Sequence, residues 1–275
     1  MSSCFSCFSG MTRSQTSKDL GKVKLHYFNV FAKGPAIALA LHHGNLDWEG
    51  EFPSAWKDMK PQTPFGELPV LEVPGQGLIG QEAAILHYLA LKEPLLAGAD
   101  DEEMVTSFQI LGAAEDIYQK LSKYQNTIGV VDKCSLEQLS AFWDSADESK
   151  HARERGLNAH LAFLEKFYMK AAQRLGNAGK FTKKGISIGE CKLFTVLHCL
   201  VAPFKYRSDR TLRTEQRASL RTERSDATVM IKPTVLEHFQ GLSTFYNRFK
   251  SLEKTQDILQ NGGRFPGPFK QYFIA

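Results

Sequence analysis

The sequence predicts two units of different class: an α/β unit over residues 23–96 and a larger all-α unit over residues 101–275. Three observations carry this. Residues 23–92 alternate strand-like and helix-like stretches in the order βαβ, then a hairpin, then a helix. Beyond "PLLAG" at 94–98 the apolar residues recur at helical spacing, as in Leu157, Leu161, Leu164, Phe167 and Tyr168. A chain of 275 residues is also long enough to bury a core in each of two domains.

Taken in order, "KVKLHYFNV" sets Val23, Leu25 and Tyr27 against Lys24, His26 and Phe28, the alternation of a half-buried strand. Lys33-Gly34-Pro35 ends it. "AIALALHHG" then reads as a helix, with Pro35 in its first turn and Gly44 at its end. "LDWEGEF" is a candidate second strand, and "SAWKDMKPQTPFG" a loop with room for one helical turn. "LPVLEV", the turn "PGQG" and "LIG" form a hairpin, and "QEAAILHYLALK" is the closing helix. In the second unit "ISIGECKLF" places Ser187 at an N-cap with Glu190 three residues on, a capping box, and Ile186 can pack on Cys191. This is a folding device. Cys191, His198 and Cys199 read as packed core, because no further ligands stand at zinc spacing.

Composition excludes several classes. A net charge of +4 is too mild to imply a nucleic acid or a membrane surface. No apolar run approaches the roughly 20 residues of a membrane span. The five cysteines are odd in number and scattered, which argues for a reducing compartment. Residues 1–22 read as a disordered polar tail; the Cys4/Cys7 pair lacks the strand and helix that a redox motif requires, although reversible acylation fits it. The segment "RSDRTLRTEQRASLRTERSD", near 207–228, steps in arginine at Arg207, Arg210, Arg213, Arg217, Arg221 and Arg224. Its interspersed acids and lack of aromatics make it a solvated helix or loop, not a stacking platform for nucleic acid. The connection from Lys133 to Gly156 is long.

One stretch is odd for a strand. "TPFGELPVLE" (63–72) carries Pro69 at the doorway of an apolar run, where a residue without a backbone N–H cannot donate to a central ladder. Together with "LHYFNV", Trp56, Lys60, "GQEAAILHYL" at 80–89 and the capping box at 187–190, it resembles the glutathione transferases. The likeness is strongest to the sigma class, which includes glutathione-dependent prostaglandin D synthases and S-crystallins. It covers nearly everything after residue 22. The resemblance implies a thioredoxin-like fold for residues 23–96 and a cis peptide before Pro69, which turns the backbone of Leu68 toward a peptide-like ligand that adds to the sheet as a short strand.

The resemblance also implies a chemistry. A thiol with a pKa of about 8.5 is mostly protonated at neutral pH, and a tyrosine hydroxyl that hydrogen-bonds the sulfur favours the thiolate. Tyr27 stands at that position, with Phe28 behind it as packing. Trp56 and Lys60 match the contacts to the glycyl end of glutathione. Gly66, Glu67, Leu68 and Pro69 match the contacts to its cysteinyl part, and Gln81 the contact to its γ-glutamyl end. Lys33 stands where the family has an arginine and keeps the charge without the planar fork. Glu82 stands where the family has Ser or Thr, donating to the γ-glutamyl carboxylate; an ionised glutamate only accepts, and repels that group. Replacing Glu82 by serine is therefore expected to tighten glutathione binding by about 1–3 kcal/mol. Glu115 and Asp116 are candidates for an acid reaching the partner subunit's site.

The protein expected from this resemblance is a glutathione transferase for detoxification-type conjugation, or related peroxidase or isomerase chemistry. Glutathione is its co-substrate, no metal is needed, and the second substrate is a small hydrophobic electrophile. The resemblance further implies a cytoplasmic homodimer with no nucleic-acid partner. The alternative is a non-catalytic scaffold or ligand carrier of the same fold, favoured by Lys33, Glu82, the long connection at 133–156 and the arginine-rich insertion near 207–228.

Overall fold

Strand β1 (Val23–His26) pairs in parallel with β2 (Trp48–Glu51), Leu25 opposite Gly50. A parallel pair needs a crossover, and helix α1 (Gly34–His43) supplies it. The computed structural model describes residues 20–127, 155–201 and 234–270. Cys4 and Cys7, most of the long connection and the arginine segment at 207–228 lie outside the described residues. After β2 come a single turn of helix, α2 (Trp56–Met59), and a 3-10 turn (Lys60–Gln62). Strands β3 (Val70–Val73) and β4 (Gly77–Gly80) form the hairpin, with Gly75 at φ 72° in the turn, and α3 (Glu82–Lys92) follows. The sheet order is β2-β1-β3-β4, with β3 antiparallel to both neighbours. This is the order expected of a thioredoxin-like unit.

Two local expectations are corrected. Val23, Leu25 and Tyr27 are buried as the alternation requires, but so is His26, on the other face. Its Nε2 pairs with Glu72 Oε2 at 3.0 Å across the β1–β3 ladder, so a carboxylate on the neighbouring strand makes its burial tolerable. Gly44 does end α1, yet in the ordinary right-handed region at φ −71°; the left-handed residue is Asn45, at φ 54°. Space at 44 is tight, since a Cβ there would sit 3.0 Å from both Leu96 Cδ1 and the Ala40 carbonyl oxygen. Helix α1 is apolar on all sides because it is covered on all sides, by the sheet, by α3 and by helices of the second unit.

The helical unit contains α4 (Pro94–Ala97), α5 (Asp101–Thr127), α6 (Leu157–Leu175), α7 (Ile188–Val201), a 3-10 turn (Val235–His238), α8 (Gln240–Ser251) and α9 (Glu253–Asn261). None of the described helices is long and apolar enough to cross a membrane. Helix α7 is the axis of the unit: every residue from Ile188 to Leu200 is buried. It meets α5 so closely that a Cβ on Gly189 would fall 2.1 Å from the Ser107 carbonyl oxygen, and the Gly189 N–H donates to Ser107 Oγ at 3.0 Å. Cys191, His198 and Cys199 are packed core as expected; burial pulls His198 down to about 4 and pushes Cys199 up to about 12. After α9 the chain returns to the first unit. The Gly50 N–H donates to the Arg264 carbonyl at 2.9 Å and the Phe31 N–H to that of Lys270 at 2.6 Å.

The capping box forms and does more than cap. The Glu190 N–H donates to Ser187 Oγ at 3.4 Å, and the Ser187 N–H donates to Glu190 Oε2 at 2.9 Å. The same carboxylate also accepts from the N–H groups of Phe181 and Thr182 and from the Thr182 hydroxyl. Glu190 thus closes the whole loop 181–187 onto the buried helix. Ser187→Ala is expected to cost about 1 kcal/mol, the size of a lost cap. Glu190→Ala should cost about 3–5 kcal/mol, because it orphans several buried donors together. Denaturant unfolding of the two variants checks this; equal costs would reduce Glu190 to an ordinary cap.

Candidate active site

Tyr27 leaves β1 with its backbone still in the ladder, its N–H donating to the Glu51 carbonyl at 3.0 Å. The ring lies against the start of α1. A Cβ on Gly34 would sit 2.1 Å from Tyr27 Cδ1, so only glycine lets helix and ring meet there. The Lys33 N–H, at the N-cap of α1, donates to the Tyr27 hydroxyl at 2.9 Å. A hydroxyl that accepts one hydrogen bond is polarised to donate another more strongly. The "KGP" breaker is therefore also the support of the tyrosine. Gly34→Ala should destabilise the fold by about 1–3 kcal/mol through overpacking and displace the hydroxyl. Thermal unfolding tests this, and an unchanged midpoint would refute the contact.

A cavity of about 400 Å³ opens beside Tyr27, within the range of small-ligand sites. Phe28, Lys33, Trp56, Gly66, Glu67, Leu68, Pro69, Gln81 and Glu82 line it with Tyr27. All the site residues read from the sequence therefore meet there except Lys60. That lysine is exposed, with Cε about 3.5 Å from where a Gly66 Cβ would lie, and stands at the rim. The Leu68–Pro69 peptide is cis. Pairing of β3 with β1 begins at Val70, so Leu68 lies beyond the ladder on the cavity wall. Gln81 caps α3 at φ 69°, a region costly for a side chain that bears a Cβ, and such residues concentrate at binding sites. Phe28 is not packing: it is 38% exposed on the cavity wall and meets the Trp56 ring edge-on at 5.3 Å.

The far end of the cavity holds a four-charge network. Glu82 is only 4% exposed, and its Oε2 lies 2.6 Å from Lys192 Nζ and 4.0 Å from Lys33 Nζ. Lys192, 1% exposed in the middle of α7, also reaches Glu115 Oε2 at 2.8 Å. Lys33 Nζ reaches Glu115 Oε1 at 3.0 Å, and both ammonium groups lie over the Tyr118 ring. Burial pushes the Glu82 carboxyl up, with the Lys192 ammonium opposing the rise. At Glu115 burial pulls the same way but is outweighed by Lys192 and its hydrogen bonds, so that carboxyl sits below its ordinary range. Burial pulls Lys192 down, yet the two carboxylates together hold it above its ordinary value. Two lysines and two glutamates balance in formal charge.

A glutathione S-transferase of Ascaris suum is 31% identical over 153 residues, which span 54% of this chain and 68% of that protein. The chain belongs to the glutathione S-transferase family. A glutathione S-transferase of Anopheles gambiae is 36% identical over 101 residues, 36% of this chain and 49% of that protein. The hematopoietic prostaglandin D synthase of Gallus gallus is 33% identical over 95 residues, 34% of this chain and 47% of that protein. The chain thus spans about half the length of several curated relatives that it matches. No family model matches it. Among solved structures, the glutathione S-transferase of Ascaris lumbricoides superposes with a TM-score of 0.60 at 22% identity, covering 86% of this chain and 96% of that one. The prostaglandin synthase D of Nilaparvata lugens gives 0.54 at 19%, with coverage of 86% and 97%. At these identities the superpositions establish the fold.

In this family member the sequence reading of Glu82 needs correction. Its charge is not left to repel a ligand, because Lys192 neutralises it from the other unit. Replacement by serine would leave the buried Lys192 short of one counter-ion, so the change is expected to cost stability and not simply to relieve repulsion. Glu115 turns to Lys33 and Lys192 of its own chain, while Asp116 is exposed. Sequence reasoning missed Lys192, Tyr118 and Phe65. For Lys192 a signal existed: one lysine inside the otherwise apolar "CKLFTVLHCL" needs a buried anion, and Glu82 was the unexplained one.

Proposed function

We propose that the chain is a glutathione transferase, in which Tyr27 stabilises the thiolate of bound glutathione for attack on a small hydrophobic electrophile. The observation that carries this is the meeting of Tyr27, Trp56, Gly66 to Pro69 and Gln81 around one cavity, from stretches far apart in sequence. Names of the relatives point the same way. Residues 23–96 form the glutathione-binding domain. The cysteinyl part lies along Leu68 as an added strand, with Gly66, Glu67 and Pro69 shaping that wall. Trp56 and Lys60 receive the glycyl end, Lys60 from the rim, where its charge meets the terminal carboxylate. Gln81, Lys33 and Glu82 face the γ-glutamyl end. The helical domain, 101–275, lends Tyr118 to the wall and shapes the second-substrate side.

The working form is a cytoplasmic two-fold dimer. Phe65, Leu91 and Val105 are 64%, 70% and 50% exposed, apolar surface suited to a subunit contact. Buried free thiols at Cys191 and Cys199 suit a reducing compartment. Retention on immobilised glutathione, followed by conjugation of a generic aromatic electrophile, tests the function, and light scattering tests the dimer. Retention and turnover by a species of twice the 30.8 kDa chain mass are expected. Retention without turnover would favour the ligand carrier, and no retention would reject the glutathione site.

A further inference from the structure

The loop from Tyr27 to Lys33 joins β1 to α1, and its residues Phe28, Val30 and Lys33 line the cavity. Within the loop the Val30 N–H reaches the Phe28 carbonyl at 2.7 Å, a single tight turn. Two other elements hold it from opposite sides. Helix α7 takes its inner side: the Phe31 ring lies against His198 at 4.8 Å, and the Cys199 thiol donates to the Phe31 carbonyl at 3.6 Å. The strap that follows α9, residues 264–270, takes its outer side. Lys270 is bracketed there by two loop residues. Its carbonyl accepts the Phe31 N–H at 2.6 Å, and its own N–H donates to Asn29 Oδ1 at 3.1 Å. Phe31 is only 2% exposed, so its N–H needs that acceptor. The buried Phe269 ring meets Phe31 edge-on at 6.3 Å.

The strap is itself firmly seated on the edge strand β2. A Cβ on Gly50 would fall 2.4 Å from the Phe265 ring, and that ring stacks on Phe52 at 4.7 Å. Phe269 packs on Phe265 at 4.8 Å and on Phe52 at 5.7 Å. We propose that this strap positions the active-site loop. Phe269 and the backbone of Lys270 hold residues 29–31, and thereby set the wall residues Phe28 and Val30 and the Lys33 N–H that supports the Tyr27 hydroxyl. The inference rests on the proposed glutathione reading of the site. Phe269 and Lys270 do not line the cavity; they are positioning residues that act through the loop. A supporting element displaced by about 1 Å can cost about 100-fold in rate, so a contact between residues 241 positions apart can govern turnover.

The test compares the full-length wild-type chain with Phe269→Ala, Phe269→Leu and Asn29→Ala. Three quantities are read: the ultraviolet thiolate titration of bound glutathione, turnover of a generic aromatic electrophile, and glutathione affinity by calorimetry. In both alanine variants the thiolate midpoint is expected to rise by about half a unit toward the free value, and turnover to fall about 3- to 10-fold. Glutathione affinity should stay within about 3-fold, because the strap does not touch the cavity. Phe269→Leu keeps an apolar side chain against Phe31 and should recover most of the turnover. A strap that only stabilises the fold would lower the unfolding midpoint without moving the thiolate titration. Folded alanine variants that titrate and turn over like the wild type therefore overturn the inference and leave the glutathione site standing. If Phe269→Ala does not fold, Asn29→Ala decides alone, since it removes one hydrogen bond outside the core. Failure of the wild-type chain itself to bind glutathione overturns the glutathione reading and the inference with it.

Discussion

Lys192→Met is expected to destabilise the fold by about 3–5 kcal/mol at neutral pH, although methionine fills the same volume in an apolar helix. Removing one member of a buried ion pair leaves the other charge without compensation. Here that charge is chiefly Glu82, at 2.6 Å, and in part Glu115, at 2.8 Å. The double variant Glu82→Gln/Lys192→Met should recover a large part of the loss, because it removes both charges together; a coupling energy of about 0.5–3 kcal/mol is the range for residues in one network. The pH dependence has a definite sign. Burial already pushes the Glu82 carboxyl above its ordinary 4.5, and without Lys192 nothing comparable opposes it. A carboxyl raised in the folded state binds its proton more tightly there. The stability it confers is full below 4.5 and is lost as pH rises through the raised value. The cost of Lys192→Met should therefore shrink on acidification. Denaturant unfolding across pH measures it, and a small, pH-independent cost would mean that the ion pair does not hold the two units together.

Tyr27→Phe is expected to lower turnover about 10- to 100-fold with the fold retained. A hydrogen bond to a charged group contributes about 1.5–3 kcal/mol, and each 1.36 kcal/mol is a factor of about ten in rate. The phenylalanine ring still fills the space above Gly34. The Lys33 N–H loses its acceptor at 2.9 Å, so a modest loss of stability, about 0.5–1.5 kcal/mol, should accompany the change. Affinity for glutathione should hardly move, since on the proposed reading the other groups of the cavity wall hold the tripeptide along its length. Full turnover in the variant would remove Tyr27 from the chemistry.

Much of this was legible in the sequence, for identifiable reasons. The order of strands and helices followed from period-two and period-3.6 patterning with Gly and Pro punctuation, and these are local signals. The cavity wall was legible because its residues sit in short contiguous stretches: Tyr27 to Lys33, Gly66 to Pro69, Gln81 and Glu82. The charge network was not. Glu82 and Lys192 are 110 residues apart and meet only because α1 and α3 pack on α7. Seen alone, Glu82 was a departure at a helix start and Lys192 one charge in an apolar run. Each makes sense only beside the other. The burial of His26 is hidden from local patterning for the same reason, since the Glu72 that shelters it stands 46 residues away on another strand. Phe28 reads as packing from its place behind Tyr27, yet β1 has ended by then and the side chain lies on the cavity wall.

The most direct measurement of the proposed chemistry is the ultraviolet thiolate absorption of glutathione bound to the wild-type chain, followed as a function of pH. If Tyr27 stabilises the sulfur anion, the band should reach half its height clearly below the free-thiol value of about 8.5, and should return toward that value in Tyr27→Phe. Bound glutathione that titrates at the free value in both proteins would contradict thiol activation by Tyr27.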